Sequence, residues 1–158
     1  MKNILKIGSL FLFILFFSSC FKGVEPSYFI CEVDGVSWNA ENGGSAISDG
    51  KVVGFTGKAT DGSYLNWYLT LEEGEILEEK EYQVLDDVTP ILATYCDEIG
   101  SGGNCIDAKG NYSTGDKSVV GVIEITKITK DIVEGTFEFT LGTVDIKKGE
   151  FKLYYTEI

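Results

Sequence analysis

From residue 28 onward, apolar and polar positions alternate with a period of two in one short segment after another, the spacing of strands that bury one face. Tyr28–Val33 alternates, and Asp34-Gly35 turns the chain into Val36–Ala40. Asp49-Gly50 and Asp61-Gly62 repeat that turn signal on either side of Lys51–Thr60, with Tyr64–Leu71 following. Asp-Gly supplies the positive φ angles of a tight hairpin, so three such steps within 29 residues predict consecutive antiparallel pairing. In Tyr64–Leu71, Leu65, Trp67, Leu69 and Leu71 share one face, while Tyr64, Asn66, Tyr68 and Thr70 share the other.

Glu72–Glu81, with six glutamates and one lysine, reads as a turn of helix or a solvated connection. Its spacing lacks the alternating oxygen ligands and central glycine of an EF-hand loop, so a calcium site is disfavoured. Tyr82–Leu85 and Ile91–Cys96 are further strands, and 97–118 is a Gly-, Asn- and Ser-rich irregular excursion. In the last third, Val119–Ile128 is a strand that Thr129-Lys130-Asp131 turns into Ile132–Leu141. Val144 and Ile146 continue the pattern, Lys147-Lys148-Gly149 reads as another turn, and Phe151, Leu153 and Tyr155 line a final strand. Roughly nine to ten short strands without a helix predict an all-β, antiparallel β-sandwich, with a lipocalin-like closed β-barrel as the alternative. Trp38 and Trp67 are read as core anchors, whereas Tyr64, Tyr68 and Tyr112 are candidates for stacking on sugars.

The first residues follow a different rule. Lys2 and Lys6 precede an apolar run from Ile7 to Phe17, and Phe17-Ser18-Ser19-Cys20 ends it. The run has the length of a signal h-region and falls short of the roughly 20 residues needed to cross a bilayer. Small residues followed by a cysteine suit signal-peptide cleavage and diacylglycerol transfer, so the motif resembles a lipobox, with Phe in place of the commoner Leu. Residues 1–19 are therefore expected to be a lipoprotein signal peptide, 20–27 a tether lipidated on Cys20, and 28–158 one all-β domain. Each buried methylene contributes about 0.8 kcal/mol, so two or three acyl chains would give lasting attachment. The expected address is the cell envelope, the outer membrane first, with the domain facing the periplasm or the exterior.

Removal of residues 1–19, with Lys2 and Lys6, leaves 139 residues and moves the formal charge from −12 to −14. So acidic a domain repels nucleic acid and anionic headgroups, which excludes both as expected partners of its surface. There is no histidine, and all 13 basic residues are lysine. Ser-His and Cys-His nucleophile pairs and imidazole zinc sites cannot be built, and no guanidinium fork is present for phosphate or carboxylate substrates. No cofactor, metal site or catalytic residue is expected.

Four cysteines are present: Cys20, Cys31, Cys96 and Cys105. With Cys20 acylated, one of the other three is odd. Cys96 and Cys105 bracket a glycine-rich loop, and a disulfide closing it would stabilise by roughly 2.5–3 kcal/mol. Cys31 then remains as a buried thiol on the apolar face of Tyr28–Val33. A bridge from Cys31 to either of the others is the competing arrangement.

The stretch Val33-Asp34-Gly35-Val36-Ser37-Trp38-Asn39-Ala40 resembles the opening of a family of small uncharacterised Bacteroidota lipoproteins. The closing segments Gly121–Lys127, Gly135–Thr140 and Lys148–Phe151 are similar too, while 72–118 matches loosely. The family has no assigned activity, so the resemblance implies habitat and fold type and carries over no functional residue. The leading functional expectation is a membrane-tethered, non-catalytic binding or interaction domain whose protein or glycan partner is unknown. A carrier with an apolar barrel cavity is the second class. A hydrolase built on two acids such as Asp86 and Asp107 is the third.

Overall fold

Period-two burial is what the chain adopts. The computed structural model describes residues 26–84, 91–97, 110–112 and 119–158, which form eleven strands and one short 3-10 turn, Glu41–Gly43. The strands are β1 (Tyr28–Val33), β2 (Val36–Asn39), β3 (Ser45–Ser48), β4 (Val52–Lys58), β5 (Tyr64–Thr70) and β6 (Glu81–Val84). They continue with β7 (Ile91–Cys96), β8 (Gly110–Tyr112), β9 (Val119–Ile128), β10 (Ile132–Leu141) and β11 (Val144–Glu157). The fold is all-β, as the alternation requires, and its strands form one strongly curled sheet, a half-barrel.

The long last strand makes the curl. On one side β11 pairs with β10 along most of its length. On the other, its first part pairs antiparallel with β1, and Tyr155–Glu157 pair with β3. One half-sheet therefore runs β2-β1-β11-β10-β9-β6, and the other continues β3-β4-β5-β7-β8. The two halves face each other as in a sandwich, yet they are continuous through β11 as in a barrel. Among the described strands the β11–β3 contact is parallel, and the other pairings are antiparallel. Lys147-Lys148-Gly149 is a bulge within β11 rather than a turn. Lys148 takes φ 51°, and the ladders to β10 and β1 both shift register there and then resume.

Asp34-Gly35 forms the expected two-residue hairpin, with φ 50° and 79°, and Val33 opposite Val36. Gly135 lies inside β10. A Cβ there would strike the Glu124 carbonyl and lie 2.6 Å from the Phe151 ring, so only glycine lets the strands close over that ring.

The interior is filled by rings. Phe29, Phe55, Trp67, Phe137, Phe139 and Phe151 are all at most 1 % exposed. Phe55 stacks on Trp67 with centroids 3.6 Å apart, and Trp67 meets the edge of Phe151 at 5.6 Å and of Phe139 at 6.3 Å. β4 and β5 are thereby packed onto β10 and β11 through aromatic contacts in the favoured separation range. Both tryptophans are buried, as expected, but not in the same surroundings.

Glu72–Lys80 is a solvated connection with one turn and no helix. Lys80 Nζ bridges Glu75 and Glu78, each at 3.0 Å, and lies 5.0 Å over the Tyr82 ring. Among the described residues, no helix is long and apolar enough to cross a membrane.

Candidate functional site

The site is built on β2 and the turn that faces it. Period two points Trp38 inward and leaves Ser37 and Asn39 exposed on the other face. The Trp38 ring packs edge-on against Phe29 at 5.8 Å, and its Nε1–H donates to Ser63 Oγ at 2.8 Å. Ser63 follows Asp61-Gly62, the connection between β4 and β5. Its hydroxyl donates to Asp61 Oδ1 at 2.6 Å, and its backbone N–H reaches the same oxygen at 2.9 Å. An Asp-Gly-Ser turn thus does two things: it closes a hairpin and presents a buried hydroxyl to an indole 25 residues upstream.

Tyr95, on β7, completes the wall. It is 7 % exposed, and its hydroxyl bonds to Asp97 and lies against Ser63. Burial pushes the Tyr95 phenol up, and the Asp97 carboxylate adds to that shift. Asp61 moves the other way: the Ser63 hydroxyl and amide hold its carboxyl below the ordinary 3.8, so it is ionised at neutral pH.

Two shallow clefts meet along Ser37, Trp38 and Asp61. One, of about 240 Å³, reaches Asp34, Tyr95 and Asp97, while the other, of about 290 Å³, reaches Asn39, Glu41 and Thr60. Their rims carry Asp34, Glu41, Asp61 and Asp97, with no lysine among the described lining residues. A Ser–Asp contact of 2.6 Å superficially suggests a nucleophile and its base. Ser63, however, is 2 % exposed and its oxygen is engaged by the indole, while a carboxylate held below its usual range is a poor base. The arrangement can hold a shape and a charge. It is not set up to move a proton.

A separate concavity of about 280 Å³ lies where β3, β4 and β5 turn outward, lined by Ile47, Val52, Tyr68 and Ile158. Tyr68 is 37 % exposed and its ring covers Gly54. Of the sugar-stacking candidates, Tyr68 faces outward there and Tyr64 is half-buried, whereas Tyr112 is placed on β8 opposite Ala93.

Cys20, Cys105, Asp86 and Asp107 lie outside the described residues. Cys96 ends β7, is fully buried and is not a free thiol. Cys31 is free and buried, and burial pushes its thiol up to about 12, which leaves it inert at neutral pH. Among the described residues no three acids or cysteines gather as a metal site. Sequence reasoning named Trp38 but not Ser63, Tyr95 or Asp97. The Asp61-Gly62 turn was its one local signal, and nothing along the chain links position 38 to 63 or 95. No protein-family model matches this chain, and no match was found among curated proteins or among solved structures.

Proposed function

We propose that this chain is a lipid-anchored cell-envelope protein whose mature all-β domain binds a partner without catalysing a reaction on it. The observation that carries the reading is the cleft beside Trp38. Its hydroxyls and carboxylates are tied to one another as a fixed acidic surface, which is suited to recognition. The signal-like N-terminus supports the anchor, with Cys20 acylated and the outer membrane the first candidate. The tether then spans residues 20–27, at most about 30 Å when fully extended, so the domain works close to the membrane. The likeness to Bacteroidota lipoproteins fits the same setting. In an oxidising compartment Cys96 pairs with Cys105. Cys31 being a free thiol and Cys96 not being one supports that pairing over the competing one. The ring-filled interior weighs against the carrier alternative, because the half-sheets already bury their own side chains against each other.

The anchor is tested by Cys20→Ala, which is expected to abolish fatty-acid labelling and release the protein from membranes; unchanged retention would overturn it. The binding reading is tested by a photo-crosslinker at position 37 in native membranes, with position 70 on the exposed face of β5 as control. A discrete adduct from 37 alone is expected. Equal labelling from both positions, or a turnover activity lost in Asp61→Asn, would contradict it.

A further inference from the structure

β2 is an edge. Val36–Asn39 pairs with β1 on one side, and among the described residues no strand pairs with the other. Val33–Val36 and Cys31–Trp38 are the opposed pairs that exchange backbone bonds across the two-residue turn, so Ser37 and Asn39 turn their N–H and C=O groups outward. Among the described residues none of these four groups has a backbone partner. Natural sheets blunt such edges with lysine, proline or a covering loop. β2 has neither residue, and its first residue, Val36, is 69 % exposed.

The surroundings select what fits. Clefts flank this strand, and among the described residues their acidic groups are Asp34, Glu41, Asp61 and Asp97, with no lysine in either lining. Three of the four are fixed in place: Asp34 accepts from the Asp145 amide, Asp61 from Ser63, and Asp97 meets Tyr95. A second copy of a chain carrying a formal −12 would meet like charge here, and an anionic lipid surface would be repelled likewise.

We infer that the outer edge of β2 accepts an extended, lysine- or arginine-rich segment of a partner protein as an added antiparallel or parallel strand, its cations lying against the acidic rims. This rests on the binding-domain reading above and names the partner's chemistry. Main-chain bonds to Ser37 and Asn39 supply adhesion, and alternate side chains of the guest supply the charge match. The guest's bonding residues must therefore fall at every second position.

The experiment uses the full chain in detergent and an eight-residue peptide of alternating Lys and Val, with a Glu–Val peptide as control. Two further versions carry N-methyl groups on alternate amides, one in each phase. The basic peptide is expected to bind, the acidic one not. One N-methyl phase is expected to weaken binding at least about tenfold and the other little, because only one phase offers its N–H groups to β2. Ser37→Pro, which removes an N–H with no backbone partner among the described residues, is expected to weaken binding about tenfold without lowering thermal stability. Asp34→Asn with Glu41→Gln is expected to flatten the salt dependence. Absence of binding, or binding indifferent to the N-methyl phase and to Ser37→Pro, would overturn strand addition. A crosslinked glycan, or a protein partner docking elsewhere on the cleft, would sink this inference while leaving the binding-domain reading intact.

Discussion

Trp67 and Trp38 are buried almost alike, at 0 % and 6 % exposure, yet one belongs to the centre of the curled sheet and the other to its acidic rim. Around Trp67 the neighbours are rings, and its Nε1 has no hydrogen-bond partner. Around Trp38 one neighbour is a ring, and its Nε1 is bonded to Ser63, which is bonded in turn to Asp61. The interior thus uses an indole for its shape and tolerates an orphaned donor. The rim uses one as a clasp that holds β2 against the β4–β5 turn. Shape fixes the fold, and the clasp fixes the cleft.

That contrast can be broken by substitution. Trp67→Ala empties the middle of the ring cluster and is expected to destabilise by about 3–5 kcal/mol, a large part of the whole stability of a small domain. Urea unfolding measures it; a cost under 1 kcal/mol would mean that the interior is not held by those rings. Ser63→Ala acts at the rim. It leaves the Trp38 indole N–H buried without an acceptor and is expected to cost about 1–3 kcal/mol. Its second signature separates the regions: crosslinking or binding at β2 weakens, while the Trp67 environment is unchanged.

A smaller effect follows from acid. Asp61 has a carboxyl held below its ordinary 3.8 by the Ser63 hydroxyl and then the Ser63 amide. A depressed pKa in the folded state means that the unfolded chain binds protons more readily, so this contribution is complete above the ordinary value and is lost as pH falls below it. The urea midpoint is therefore expected to hold from neutrality to about pH 5 and to drop below about pH 4. Asp61→Asn should shallow that drop. Because Asp61 is exposed, the change is expected to be modest, and an unchanged acid profile in the variant would remove Asp61 from the clasp.

Most of the strands were legible because burial with period two leaves a direct trace, as in Phe137, Phe139 and Leu141 against Glu138 and Thr140. Hairpins declared by Asp-Gly were legible for the same local reason. β3 and β8 were not: Ser45–Ser48 and Gly110–Tyr112 are short, and they are strands through the partners they meet rather than through their own pattern. Lys147-Lys148-Gly149 has turn composition, but the ladders on both sides carry β11 straight through it. The clasp was illegible for a further reason. Trp38, Ser63 and Tyr95 come from three separate strands and turns, and curling of the sheet alone brings them together.

The protein's own rings fill the interior, which leaves the rim as the place for the proposed binding. With two tryptophans in the chain, the two indole N–H signals report the two regions separately by nuclear magnetic resonance, assigned with Trp38→Phe. The direct test is a titration of the full chain with a long-chain fatty acid. A filled interior gives no saturable movement of the Trp67 signal. A stoichiometric, saturable shift of Trp67 with Trp38 unmoved would reveal a ligand-holding lumen and contradict it.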